Sequence, residues 1–145
     1  MKKEQYKVEV NYYREGEVGQ IDKGIPWMKE VWCTREEMQE LPVSHFVENM
    51  VHRFQGMRRF EIGVYRVSVS GASKLRAAAV VTFDVDPHVG LVLSVEVAYS
   101  AKPGLGKLLR REFDTIARNG GARMLRLVKR EGPYRYSVRY VPVKE

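Results

Sequence analysis

The stretch Tyr99-Ser100-Ala101-Lys102-Pro103-Gly104-Leu105-Gly106-Lys107-Leu108-Leu109 decides how this chain folds. Upstream of it, residues 91–97 (LVLSVEV) form an apolar-rich run of strand length. Downstream, Leu105, Leu108, Leu109, Phe113, Ile116 and Ala117 recur with the period of one helix face, and Gly120-Gly121 closes the pattern. Residues 124–128 (MLRLV) read as a further strand. Strand, glycine turn, helix and strand make a βαβ unit, which predicts two parallel strands and a right-handed crossover. Such a turn leaves free amides at a helix N-terminus, a geometry suited to phosphate, and two glycines let a ligand approach the backbone closely. A Gly-x-Gly pattern alone also has a purely steric reading, because many βα turns carry glycine for shape.

A chain of 145 residues is about one domain's worth, and its 44% hydrophobic and 30% charged content is that of a soluble globular protein. No apolar run approaches the roughly 18 residues of a membrane helix. The N-terminus, Met1-Lys2-Lys3-Glu4-Gln5-Tyr6, lacks the apolar core of a signal peptide. Cys33 is the single cysteine, so no internal disulfide is expected and a reducing, cytoplasmic location is. Charge is unevenly placed. Residues 101–145 hold twelve basic side chains against four acidic ones, an excess of +8 within a formal total of +7, so the first hundred residues stand at −1. A basic third of this kind fits a phosphate-bearing cofactor, nucleic acid or an acidic protein, or else a solvated surface.

Alternation of Tyr6, Val8, Val10 and Tyr12 marks a first strand over residues 6–13, and polar residues 15–23 mark a loop. Ile25-Pro26-Trp27 and Trp32 put bulky apolar groups in an irregular region; they pack on the core, the commoner role, or line a pocket. Thr34-Arg35-Glu36-Glu37 has the form of a capping box, opening a short helix that Pro42 ends. Ser44 caps a clearer helix with Phe46, Val47, Met50, Val51 and Phe54 as its stripe and Gly56 as its end. His45 and His52 lie roughly 10 Å apart along that helix, too far to chelate one metal. His88 has no ligand neighbours by spacing, so no metal site is expected.

Residues 60–70, 75–84 and 90–98 are three β runs separated by Gly71-Ala72-Ser73-Lys74 and Asp86-Pro87-His88-Val89-Gly90, an antiparallel meander. In the first run the apolar phase shifts between Val64 and Val67, which predicts a bulge. Glu131-Gly132-Pro133 turns the chain into a last strand with Tyr134, Tyr136, Val138 and Tyr140 on one face and Arg135, Ser137 and Arg139 on the other. The order β-α-α-β-β-β-α-β-β describes a single α+β domain over residues 1–145, a mixed sheet with helices packed on both faces.

That order, with a Gly-x-Gly turn after the fourth strand, resembles the GCN5-related N-acetyltransferases (GNAT). In topology the resemblance covers nearly the whole chain; in motif it rests on residues 95–109. The family signature is Gln/Arg-x-x-Gly-x-Gly/Ala, and Gly104 and Gly106 stand at its two small positions. Ala101 stands where the family has Gln or Arg, and Lys102 supplies that charge only if the loop is one residue shorter. The family's usual helix after the fifth strand, whose tyrosine protonates the leaving thiolate, has no room in Glu131-Gly132-Pro133. The chain resembles a reduced member.

The resemblance implies an acyl-coenzyme-A-dependent N-acyltransferase, with acetyl-CoA as co-substrate and a primary amine attacking the thioester directly. It implies pyrophosphate on the amides from Lys102 to Lys107, Gly104, Leu105 and Gly106 among them and Pro103 excepted, with added charge from Lys102 and Lys107. It implies a thioester carbonyl held by a backbone amide near Val97 or Ala98, where the fourth strand splays from the fifth. The pantetheine arm would pair with that strand, Val97, Ala98 and Tyr99, like an added strand. Glu96, the one carboxylate on an otherwise apolar strand, is the candidate general base; the alternative is a carboxylate pointing to solvent. Tyr134 and Tyr136, with Tyr99, are candidate acids. The acceptor amine is left open, as is self-association to a homodimer.

Two rivals stand beside this reading. One is a catalytically silent relative used for binding or structure, favoured by Ala101 and the missing helix. The other is a nucleic-acid binder using the basic third, disfavoured because the Arg135/Arg139 face carries no aromatic stacking platform.

Overall fold

The computed structural model describes residues 5–145. In chain order they form β1 (Gln5–Tyr13), α1 (Ile25–Thr34), α2 (Val43–Gln55), β2 (Arg59–Val67), β3 (Ser73–Asp86), β4 (Gly90–Ser100), α3 (Leu105–Gly120), β5 (Met124–Gly132) and β6 (Arg135–Pro142). Short 3-10 turns occupy Ile21–Gly24 and Glu36–Glu40. Residues 1–4, the start of the segment expected to lack an apolar leader, lie outside the described residues. The strands pair in the order β1-β2-β3-β4-β5-β6, antiparallel throughout except for β4–β5. Among the described residues no helix is long and apolar enough to cross a membrane.

Helices cover both faces of the sheet, as the pattern predicts, but unequally. α3 sets Leu105, Leu109, Phe113, Ile116 and Ala117 against Ile62, Val64, Ala77, Ala79, Val81, Leu93 and Val95, and all of these are buried. Each larger side chain in that layer contributes about 1.5–3 kcal/mol by leaving water. Under α1 and α2 the fully buried set is only Ile21, Phe54 and Val80, with Met28, Met50 and Val51 packed around it. α1 buries none of its own residues completely. The sparse packing on this face leaves a cavity between helices and sheet.

Four local expectations are corrected. Residues 25–34 are helical rather than irregular: Pro26 sits in the first turn, where its missing N–H costs nothing, and Trp27, Met28 and Val31 line up on one side. Thr34 ends that helix instead of opening the next one, its hydroxyl donating to the Val31 carbonyl at 3.1 Å, and Glu36–Glu40 form only a 3-10 turn. α2 begins one residue before Ser44, and Pro42, already extended, takes the N-cap position without a side-chain bond. Tyr134 belongs to the β5–β6 turn, at φ 56°, and not to the strand. It comes after Pro133 in a position that glycine or asparagine ordinarily fills.

The predicted bulge falls at Val64/Tyr65, but its extra residue, Arg76, is on β3. β1 pairs with β2 without a shift along all nine residues, so an insertion in β2 itself would break that ladder. A second irregularity was not foreseen. Val80 pairs with Val97 and Val81 with Val95, so Glu96 is the unpaired residue of a bulge in β4.

Candidate active site

Parallel pairing of β4 with β5 lasts only from Val92–Ser94 to Met124–Arg126. Beyond it the strands diverge, and β4 has no ladder partner on its β5 side from residue 95 to 100. A polar clamp fixes the closed end of this cleft. Arg126 reaches Asp84 Oδ2 at 2.6 Å, Asp86 Oδ2 at 3.1 Å and Ser94 Oγ at 3.3 Å. The Tyr140 hydroxyl donates to Asp86 at 2.7 Å and the His88 amide donates to it at 2.8 Å. The Tyr140 hydroxyl first, then the His88 amide, holds the Asp86 carboxyl at a pKa of about 2. The same clamp removes Arg126 from the basic surface of the C-terminal third, as Asp114 does Arg110 and Glu37 does Arg130.

At the bulge, Glu96 faces the cavity instead of open solvent; its side chain is 16% exposed. Its Oε2 accepts from Arg53 Nη2 of α2 at 2.9 Å, and no described residue donates to Oε1. Past the bulge, the Ala101 amide donates to the Arg76 carbonyl of β3 at 2.8 Å. Backbone groups alternate along an extended strand, so Tyr99 and Val97 turn their amides the same way and Ala98 turns its amide toward the open side.

The glycine turn sits at the end of β4. Gly104 adopts φ 96°, ψ −28° at the N-cap of α3, which has no side-chain cap, and Leu105 anchors the first turn by being buried. A left-handed residue is needed there, and glycine adopts it without strain. A Cβ on Gly104 or Gly106 would meet no atom within 4 Å, so this backbone is open to an approaching group. The Lys107 amide, expected among the phosphate donors, instead donates to the Gly104 carbonyl at 3.3 Å. Lys107 is exposed, and the Lys102 ammonium lies 5.4 Å from the centre of the Tyr6 ring.

The helical layer straddles the cleft. On the β4 side, Trp27 of α1 stacks on Tyr99 at 4.4 Å, and the Tyr99 hydroxyl donates to Glu30 at 2.6 Å. Glu30, and burial after it, pushes the Tyr99 phenol above its usual pKa. On the other side, Glu37 receives Arg130 Nη2 at 2.9 Å and the Tyr136 hydroxyl at 3.1 Å. The Arg130 guanidinium holds the Glu37 carboxyl at about 2. Tyr134 donates to Glu40, which pushes its phenol up.

Beneath this layer lies a cavity of about 400 Å³. It brings together Glu96, Val97, Ala98, Tyr99 and Tyr136 of the residues singled out from sequence. Lys102, Gly104, Leu105, Gly106 and Lys107 form the adjoining turn, outside the cavity lining, and Tyr134 belongs to neither group. Arg53, Glu37 and Arg130 were missed, since their ion pairs join elements 43 and 93 residues apart. Trp27 had one visible signal, as a bulky apolar group whose alternatives included a pocket wall.

An antiparallel sheet with one parallel pair, splayed after three residues, bulged on the open strand and followed by a glycine-started helix, is a GNAT-like fold. The chain is similar to a proposed acetyl transferase from Pyrococcus furiosus over 97% of its own length and 99% of that protein's, at 14% identity and a TM-score of 0.66. It is also similar to an acetyltransferase of the GNAT family from Streptococcus pneumoniae, at 18% identity and a TM-score of 0.50, over 85% of this chain and 76% of that one. No family model and no curated protein matches the sequence.

Proposed function

We propose that this protein is an acyl-coenzyme-A-dependent N-acyltransferase acting on a primary amine. The observation that carries the reading is the open edge of β4: unpaired toward β5 from residue 95, bulged at Glu96, and continuous with the Gly104 turn. The pantetheine arm of a coenzyme A thioester would lie along Val97, Ala98 and Tyr99 as an added strand. Its pyrophosphate would take the free amides at the α3 N-terminus, Leu105 and Gly106 foremost, since helix geometry leaves the first amides unsatisfied. Lys102 and Lys107 would add positive charge. The Ala98 amide, aimed at the open side, would hold the thioester carbonyl and the oxyanion it becomes.

In the reaction an ammonium first loses a proton to Glu96, directly or through one water, using the oxygen that Arg53 leaves unbonded. The neutral nitrogen forms a bond to the thioester carbon, and the carbonyl electrons move onto oxygen. Collapse of that tetrahedral species breaks the C–S bond, and the thiolate leaves with the electron pair. The nitrogen's remaining extra proton goes to the thiolate, yielding an amide and free coenzyme A. Tyr136 or Tyr99, both on the cavity lining, would serve as a relay for that proton, giving its hydroxyl proton to the thiolate while taking up the nitrogen's. A non-catalytic relative is the second reading, favoured because Tyr134, Tyr136 and Tyr99 each donate to a carboxylate of the helical layer.

Free-thiol release from acetyl-CoA, measured against a panel of amines, tests the proposal. Glu96→Gln keeps size and removes basicity, so turnover should fall by about 10²-fold or more while coenzyme A affinity holds. Equal turnover in wild type and Glu96→Gln would remove Glu96 from the mechanism. Cofactor binding without release on any amine would favour the non-catalytic reading.

A further inference from the structure

The walls of the cavity restrict what amine it can accept. Its roof is apolar, with Trp27, Met28 and Val31 from α1 and Phe46 and Met50 from α2. Three carboxylates line it, and only one is placed to receive an ammonium beside the open edge of β4. Glu61 has both oxygens engaged, Oε2 with the buried Arg59 at 2.6 Å and Oε1 with the Gln20 amide at 2.9 Å. Glu9 pairs with Lys7 at 3.1 Å and stands on β1, three strands from Glu96, about 14 Å away across the sheet at the usual strand spacing. Glu96 keeps an oxygen with no donor among the described residues and stands two residues from Ala98; Glu9, bonded by Lys7 through Oε1 only, lies too far across the sheet for a short amine anchored on Glu96. The remaining charged groups on the lining are Arg35 and Arg130; the carboxylates just behind it are already engaged, Glu37 by Arg130 at 2.9 Å and Tyr136 at 3.1 Å, and Glu30 by Tyr99 at 2.6 Å. A second ammonium would therefore lie against apolar side chains or cations, uncompensated, and burying an unpaired charge is strongly unfavourable.

We infer that the acceptor is a small primary monoamine with an apolar body, its ammonium on Glu96 and its body under α1 and α2. This rests on the acyltransfer reading for the fate of the amine, but the amine site can be measured separately. The pair that isolates the effect is n-hexylamine and 1,5-diaminopentane, which differ only by a second ammonium in place of a methyl group. Calorimetric titration of the full chain with each, with and without saturating coenzyme A, should show hexylamine binding at least 10-fold more tightly. Glu96→Gln should weaken hexylamine about 10-fold or more, and Val31→Glu, which puts a carboxylate into the roof, should erase or invert the preference. Equal affinity of the two amines in the wild type, tighter binding of the diamine, or no hexylamine binding in either condition overturns the inference. A Val31→Glu protein that folds and keeps the wild-type ratio overturns the placement of the body. A lysine peptide that binds more tightly than hexylamine overturns the small-molecule assignment. Amine selectivity without coenzyme A binding would defeat the acyltransfer reading alone; coenzyme A binding without selectivity would defeat this one alone.

Discussion

Arg59→Met is the substitution that asks most of the structure. The Arg59 side chain is fully buried, with Nε on Glu61 Oε2 at 2.6 Å, Nη2 on the Glu17 and Val18 carbonyls at 2.7 and 3.1 Å, and Nη1 on the Met57 carbonyl at 3.2 Å. It thereby fastens the 14–20 loop to β2 and keeps Glu61 occupied at the cavity wall. Methionine fills much of the volume but leaves the Glu61 carboxylate, only 10% exposed, without its counter-ion. Removing one partner of a buried ion pair costs about 3–5 kcal/mol. A 145-residue domain has roughly 7–22 kcal/mol in total, so the variant should fold with much less reserve. At this size the loss lowers Tm by roughly 6–20 °C. Urea unfolding monitored by circular dichroism gives the free energy, and scanning calorimetry gives Tm. Adding Glu61→Gln removes the orphaned charge, retains an oxygen for the Gln20 amide, and should restore at least half of the loss. A single variant within about 1 kcal/mol of wild type, or a double variant no better than the single, would refute the claim that the pair holds this wall together.

Three further outcomes come from the same set of contacts. Leu109→Ala, in the buried face of α3, should cost about 2–5 kcal/mol, read from urea midpoints at constant slope; a loss below about 1 kcal/mol would mean the helix is not seated as described. Asp86 and Glu37 have pKa values near 2 in the folded chain against ordinary values of 3.8 and 4.5, so the unfolded state binds more protons as pH falls. Their contribution is complete above about pH 4.5 and should fade between there and pH 2, so Tm should drop across that window and Asp86→Asn should flatten the drop. Tyr134→Gly relieves a left-handed backbone but loses the Glu40 contact, so Tyr134→Gly should be more stable than Tyr134→Ala by about 1 kcal/mol, in a thermal-melt comparison that would fail if the two were equal.

How much of this could be read from the chain alone depends on where the determining interactions are. α3 was legible because six apolar residues share one stripe and glycines bound it at both ends, all within about 20 residues. The parallel β4–β5 pair was implied by that helix, since a crossover of this length joins parallel neighbours. α1 was not legible. Its apolar side covers a cavity instead of a core, so Trp27, Met28 and Val31 lacked the dense periodic stripe that α2 and α3 show. Glu96 was legible as a lone carboxylate on an apolar strand, but its bulge is a property of the β3–β4 register. Its partner Arg53 comes from a helix that sequence spacing cannot place over it. Tyr134 was misplaced because Pro133 announced a turn, yet an aromatic residue occupies the left-handed position that usually calls for glycine.

Whether the Gly104 turn and the open edge of β4 receive a coenzyme A thioester is tested most directly by acetyl-CoA binding, measured as a thermal shift. Ligand at about 100 times its dissociation constant should add about 2.7 kcal/mol to the stability of the wild type. Gly104→Asp, which sets a carboxylate and a strained left-handed residue where phosphate would lie, should abolish the shift. A wild-type melting temperature unmoved by millimolar acetyl-CoA, or an equal shift in Gly104→Asp, would contradict this placement of the cofactor.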